Sequence, residues 1–78
     1  MVHLIHYELK GYRQRADYER LADAIKKISG SWCHTPENTW LVETELGTQE
    51  VLGRLAPLTI VGDPLMVIRV QTTGRLTA

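Results

Sequence analysis

The sequence has little cysteine, no excess charge of either sign and no long apolar run. Cys33 is the only cysteine, so no disulfide forms within the chain, and a lone cysteine is typical of a reducing, cytoplasmic setting. No cluster of His and Cys has the spacing of a zinc site. No stretch approaches the roughly 18 apolar residues of a membrane span, and no signal-peptide pattern opens the chain. We therefore expect a cytoplasmic protein with no membrane association.

The absence of net charge argues against a protein that coats nucleic acid. Lys and Arg total 9 and Asp and Glu total 9, whereas nucleic-acid-binding domains usually carry a basic excess. The charges are nevertheless unevenly spread. Three cations and no anion lie between Lys10 and Arg15, and four acidic residues with no Lys or Arg lie between Glu37 and Glu50. A local basic loop of this kind can still contact phosphates.

The length of 78 residues indicates one domain, which we place at residues 1–71, with residues 72–78 as a C-terminal tail or arm. A chain this small buries only about 60% of the surface that its unfolded form exposes. Small domains often add a disulfide, a metal or a second subunit. A second subunit is the source of burial that this sequence favours, so we expect a homodimer.

Apolar periodicity predicts six elements. Residues 2–9 alternate as a strand, and Asp17 is a suitable N-cap for an amphipathic helix that ends at Gly30. Two short strands at residues 31–35 and 39–44 form a hairpin. Thr48 can cap a second helix, which stops before Pro57, and residues 65–71 form the last strand. The apolar stripe of the first helix consists of Tyr18, Leu21, Ala22, Ile25 and Ile28.

This order of elements, βαββαβ, is typical of the ferredoxin-like α+β fold. Right-handed crossovers place both helices on one face of a four-stranded antiparallel sheet. The first and third strands are then central.

Several segments also resemble a known group of proteins: His6-Tyr7-Glu8-Leu9, Trp32-Cys33-His34, Thr39-Trp40-Leu41-Val42 and Leu65-Met66-Val67-Ile68. Together with the first helix they resemble SinR-family small phage and prophage proteins. Those are similar to the CRISPR-associated small endoribonuclease subunit and to VapD-like proteins. The resemblance spans roughly residues 3–71. It implies a ferredoxin-like homodimer that either scaffolds DNA or cleaves phosphodiesters with a divalent metal, Mg²⁺ or Mn²⁺.

The resemblance also implies a site at the end of the first strand. There the CRISPR-associated subunit has an aspartate near its symmetry mate, in a Tyr-Asp-Leu or similar pattern. The matching residue here is Glu8, whose carboxylate extends one methylene further. Mg²⁺ demands near-ideal octahedral geometry, so this departure bears directly on catalysis. Glu8 is the candidate metal ligand and catalytic residue, and its alternative is an ordinary strand-end carboxylate paired with Lys10 or Arg13.

Other polar residues near Glu8 offer further candidates. His6 lies two residues away on the same strand face and is a candidate general base, with a half-buried structural histidine as the alternative. Lys10, Tyr12, Arg13 and Arg15 are candidates for nucleic-acid binding, the cations through phosphates and Tyr12 through base stacking. The alternative is a solvated loop.

The remaining candidates lie in the first strand and the hairpin. His34 is a possible second polar group beside that site or a surface residue. Cys33 and His34 point to opposite faces, which argues against a nucleophile pair. We interpret Trp32 and Trp40 as core or interface anchors, and His3 as structural.

Three hypotheses therefore stay open. The first is a homodimeric interaction or scaffold protein without efficient catalysis, acting on a protein partner or nucleic acid. The second is a metal-dependent endoribonuclease or other nuclease with Glu8 near the dimer axis. The third is a nucleic-acid-binding protein that uses the loop from Lys10 to Arg15.

Overall fold

The structure is a computed structural model that describes residues 1–11, 14–60 and 62–71. Its strands and helices follow the predicted order. They are β1 (Val2–Tyr7), α1 (Arg15–Ile28), β2 (Ser31–His34), β3 (Thr39–Glu43), α2 (Thr48–Leu55), a 3₁₀ turn (Ala56–Leu58) and β4 (Leu65–Val70). The predicted tail, residues 72–78, lies outside the described residues. No helix in the described ranges is long and apolar enough to cross a membrane.

The four strands form one antiparallel sheet in the order β2-β3-β1-β4. β1 and β3 are therefore central, as predicted, and the fold is ferredoxin-like. Leu4 is paired with Leu41 on β3 and with Ile68 on β4. Because side chains alternate along each strand, this register fixes which residues of different strands share a face.

One face of the sheet packs against both helices to form the core. Tyr7 and Trp40 are the largest fully buried side chains, and the indole Nε1 donates a hydrogen bond of 3.2 Å to the Tyr7 hydroxyl. The core cluster comprises Ile5, Tyr7, Leu9, Leu21, Ile25, Trp40, Val42, Val51 and Leu55. The apolar stripe predicted for α1 is confirmed, with Leu21 and Ile25 at its fully buried centre.

The predicted caps of α1 are wrong at both ends. The N-cap is Gln14, and Asp17 lies three residues further on, where its Oδ2 accepts the Gln14 N–H at 2.9 Å. Asp17 therefore holds the acidic position of a capping box. At the other end the C-cap is Ser29, whose hydroxyl donates to the Ile25 carbonyl. Gly30 instead donates its N–H to the Glu43 carbonyl at 2.8 Å, which ties the start of β2 to β3.

The N-cap of α2 is also displaced by one residue from the prediction. Gly47 is the cap and Thr48 is the first helical residue. The Thr48 hydroxyl is thereby available to the sheet, where Oγ1 lies 3.0 Å from Nε2 of His3. This contact joins β1 to α2 across 45 residues of sequence.

Candidate functional site

The sheet face opposite the helices carries the predicted residues Glu8 and His6. We call it the open face. Both helices of the described chain pack on the other side of the sheet, so the open face meets solvent. Its side chains are mostly apolar, and Met66 and Ile68 are 44% and 47% exposed. The open face comprises Val2, Leu4, His6, Glu8, Ser31, Cys33, Thr39, Leu41, Glu43, Met66, Ile68 and Val70.

His6 and Glu8 are neighbours on this face, as the strand alternation predicted. His6 Nδ1 and Thr39 Oγ1 share a hydrogen bond of 2.8 Å across the β1–β3 pair. The other ring nitrogen, Nε2, lies 3.9 Å from Glu8 Oε1. That distance is too long for a hydrogen bond, so the two groups form an ion pair only when the imidazole is protonated. Thr39 therefore orients the ring, while Nε2 faces the solvent-exposed carboxylate.

The described residues of one chain do not complete a metal site. Within the described ranges, no group of three or more His, Cys, Asp or Glu side chains is close enough to hold a metal ion. Glu8 is a single exposed carboxylate, and Mg²⁺ takes six oxygen ligands in near-octahedral geometry. A metal at Glu8 would therefore need further ligands from another molecule.

The predicted basic loop is described at its two ends only. Tyr12 and Arg13 lie outside the described residues. Lys10 is exposed, and its backbone N–H donates to Asp63 Oδ1 at 3.0 Å. Arg15 is the first residue of α1, and its Nε donates to Glu19 Oε1 at 2.9 Å. Both cationic side chains reach solvent, but the charge of Arg15 is partly offset by Glu19.

His34 does not join His6 and Glu8, and of its two interpretations the surface residue is confirmed, because the side chain is exposed. His34 is paired with Trp40 and therefore lies on the helix side of the sheet. Its imidazole stacks on the Trp40 indole, with ring centroids 3.9 Å apart and an interplanar angle of 10°. Trp32 also contacts Trp40, with ring centroids 5.3 Å apart.

The central-strand aromatics cannot serve as a base-stacking surface. Tyr7 and Trp40 face the helices and are 1% and 0% exposed. Burial raises the pKa of Tyr7. A ferredoxin-like RNA-binding domain would need such rings exposed on the free face of the sheet. Here that face carries aliphatic side chains instead, which argues against this mode of RNA recognition.

His3 is the buried polar residue whose importance the sequence did not reveal. Its side chain is fully buried on the helix side, and Nδ1 has no hydrogen-bond partner among the residues that the structure describes. Burial lowers the pKa of His3, and the N-terminal amine and Arg69 lower it further. His3 is therefore a neutral core residue that links β1 to α2.

Comparison with known proteins adds no relative. A scan of protein-family models and searches of curated proteins and of solved structures all find no match.

Proposed function

We propose that this protein is a small homodimeric interaction or scaffold module whose open face binds a second copy of the chain. The observation that supports this proposal is the exposed apolar surface of that face. Met66 and Ile68 are about half exposed, and the half-buried Leu4 lies in register between Ile68 and the half-buried Leu41. Contiguous apolar patches on a small protein commonly mark interaction sites.

The size of the face sets the expected strength of the dimer. The four strands have 6, 4, 5 and 6 residues, and at about 3.3 Å per residue and about 4.8 Å between strands they give a footprint of roughly 330 Å². A standard specific interface buries about 800 Å² on each partner. The open face alone therefore belongs at the small end of specific interfaces. We expect micromolar association, to which further contacts at the exposed edge of β4 would add.

Sedimentation equilibrium of the 8.9 kDa chain tests this proposal. We expect a reversible dimer at micromolar concentration and a monomer for Ile68→Lys, because burying an unpaired ammonium in an apolar interface is strongly unfavourable. Ile60→Lys is the matched control, since Ile60 is 58% exposed but lies outside the sheet. Circular dichroism verifies that both variants fold. A wild-type protein that is monomeric throughout, or a dimer that Ile68→Lys leaves intact, would contradict the proposal.

A metal-dependent nuclease is the second candidate, favoured by the pairing of His6 with Glu8 on this same face. Dimerisation through the open face would supply the additional carboxylate that one chain lacks, if the two-fold axis passes near Glu8. His6 would then be the base nearest to an activated water. The test is cleavage of labelled single- and double-stranded RNA and DNA with Mg²⁺, Mn²⁺ or EDTA. Nuclease activity should require metal and be lost in Glu8→Gln.

The third candidate, nucleic-acid binding by the segment from Lys10 to Arg15, is supported by the exposed side chains at its two ends. A gel shift whose affinity falls steeply with salt would support it. Lys10→Gln and Arg15→Gln should each reduce that salt dependence.

A further inference from the structure

A second exposed feature, separate from the open face, lies on β2 at the helix side of the sheet. There three rings form a continuous aromatic cluster. Trp40 is its buried base, His34 stacks parallel on it, and Trp32 contacts it at a tilt of 57°. We call this set the β2 aromatic stack. Trp40 is fully buried whereas His34 is exposed, so the imidazole is the layer between the core indole and solvent.

A cation accompanies the stack. Lys26, in the last turn of α1, places Nζ 5.0 Å from the centroid of the Trp32 ring, within the range of a cation–π contact. Burial lowers the pKa of His34, and the nearby charge of Lys26 lowers it further. Near pH 7 the imidazole is therefore a neutral, flat surface beside a fixed positive charge.

From this juxtaposition we infer that the β2 aromatic stack binds single-stranded nucleic acid, with one base stacked on His34 and an adjacent phosphate at Lys26. A base extends the existing parallel stack by one layer, and stacking tolerates every base because each has a π-face. The ammonium complements the one negative charge that each nucleotide carries. A nucleotide unit thus matches both the flat and the cationic part of the surface.

This site is independent of the proposed dimer. His34 and Trp40 share the helix side of the sheet, whereas Ile68 and Leu41 lie on the open face. Binding of nucleic acid at the β2 aromatic stack therefore leaves the open face available to a second copy. The failure of either proposal leaves the other intact.

The experiment uses the chain's own fluorescence. Both tryptophans of the protein belong to the stack, so a base that stacks there changes the emission of the reporter directly. The full chain is titrated with a short oligouridylate, a matching oligothymidylate and inorganic polyphosphate. We expect saturable quenching by both oligonucleotides, and a stronger effect from one of them identifies RNA or DNA as the preferred ligand.

Four variants assign the contacts. His34→Ala should weaken binding about tenfold, or about 1.4 kcal/mol, and His34→Phe should restore it because a flat ring is retained. Lys26→Gln should lower the slope of log affinity against log salt by about 0.7, the value for one phosphate on a single strand. Lys27→Gln is the matched control, because Lys27 is an exposed neighbouring lysine whereas the contact with Trp32 is made by Lys26.

Three results would overturn the inference. One is the absence of quenching by either oligonucleotide. The second is unchanged affinity in His34→Ala. The third is a result in which polyphosphate binds as tightly as the oligonucleotides and changes the tryptophan emission equally. That result would show that charge alone attracts the ligand. Sedimentation of the same variants measures the dimer separately, and we expect it to be unchanged.

Discussion

Acidification below pH 6.5 should destabilise the fold through His3. The imidazole is fully buried and shares one hydrogen bond with Thr48, and within the described ranges Nδ1 has no partner. Its charged surroundings are positive. Arg69 is its partner on β4, the N-terminal amine is nearby, and Thr48 is the first residue of α2, at the positive end of the helix dipole. A second proton on His3 would therefore be buried among like charges.

The sign of the effect follows from proton linkage. The pKa of His3 is lowered from its ordinary 6.5 by burial, the N-terminal amine and Arg69. Between 6.5 and the lower pKa of the folded state, the unfolded chain binds more protons than the folded chain. The free energy of unfolding therefore falls as the pH falls, by up to about 1.4 kcal/mol per pH unit. The loss levels off once the pH is below the folded-state pKa.

Urea denaturation followed by tryptophan fluorescence at a series of pH values measures this slope. His3→Gln is the informative comparison, because its amide can keep a hydrogen bond to Thr48 but does not titrate. As the pH falls below 6.5, the free energy of unfolding of the wild type should decrease relative to that of His3→Gln. All other titrating groups, His34 included, are common to both proteins. A difference that stays constant from pH 8 to pH 5, a range that brackets an ordinary histidine, would refute the reasoning.

Three further predictions concern folding stability, each measured by urea denaturation at neutral pH. Leu21→Ala should lower the free energy of unfolding by about 2–5 kcal/mol, because Leu21 is fully buried at the centre of the helix–sheet core, and a loss near zero would contradict that placement. Asp17→Ala should lower it by about 1 kcal/mol by removing the acceptor for the Gln14 N–H, whereas Glu19→Ala on the same helix should lower it less. Asn38, at φ 59°, should tolerate glycine but lose stability as valine, because a β-branched residue disfavours the left-handed region.

The fold was predictable because its signals are local. Alternation in β1 and the apolar stripe of α1 identify the buried faces before any contact is known. The order βαββαβ, combined with right-handed crossovers, then predicts the sheet order that is observed. The adjacency of His6 and Glu8 could also be predicted, because residues two positions apart in one strand share a face.

The missed features depend on partners far apart in sequence or on exact register. His3 lies on a strand face that the sequence predicts correctly, but its partner Thr48 is 45 residues away. The position of His34 could have been deduced, because a core assignment for Trp32 places the residue two positions later on the same side. The start of α1 was predicted wrongly because an acidic residue such as Asp17 is favourable both as an N-cap and three residues after the N-cap. Only the backbone decides between these positions.

Because of the arrangement of the open face, the nuclease hypothesis depends on the dimer hypothesis, whereas the dimer hypothesis does not depend on the nuclease hypothesis. A dimer needs only the apolar surface around Ile68, whereas a metal site at Glu8 needs a dimer, because the described residues of one chain supply no complete ligand group. Ile68→Lys should therefore abolish any metal-dependent cleavage together with dimerisation, although Ile68 pairs with Leu4 and not with His6. Glu8→Gln should abolish cleavage while leaving the dimer intact. A monomeric Ile68→Lys variant that still cleaves with Mg²⁺ would show that the carboxylates of two chains do not share the metal.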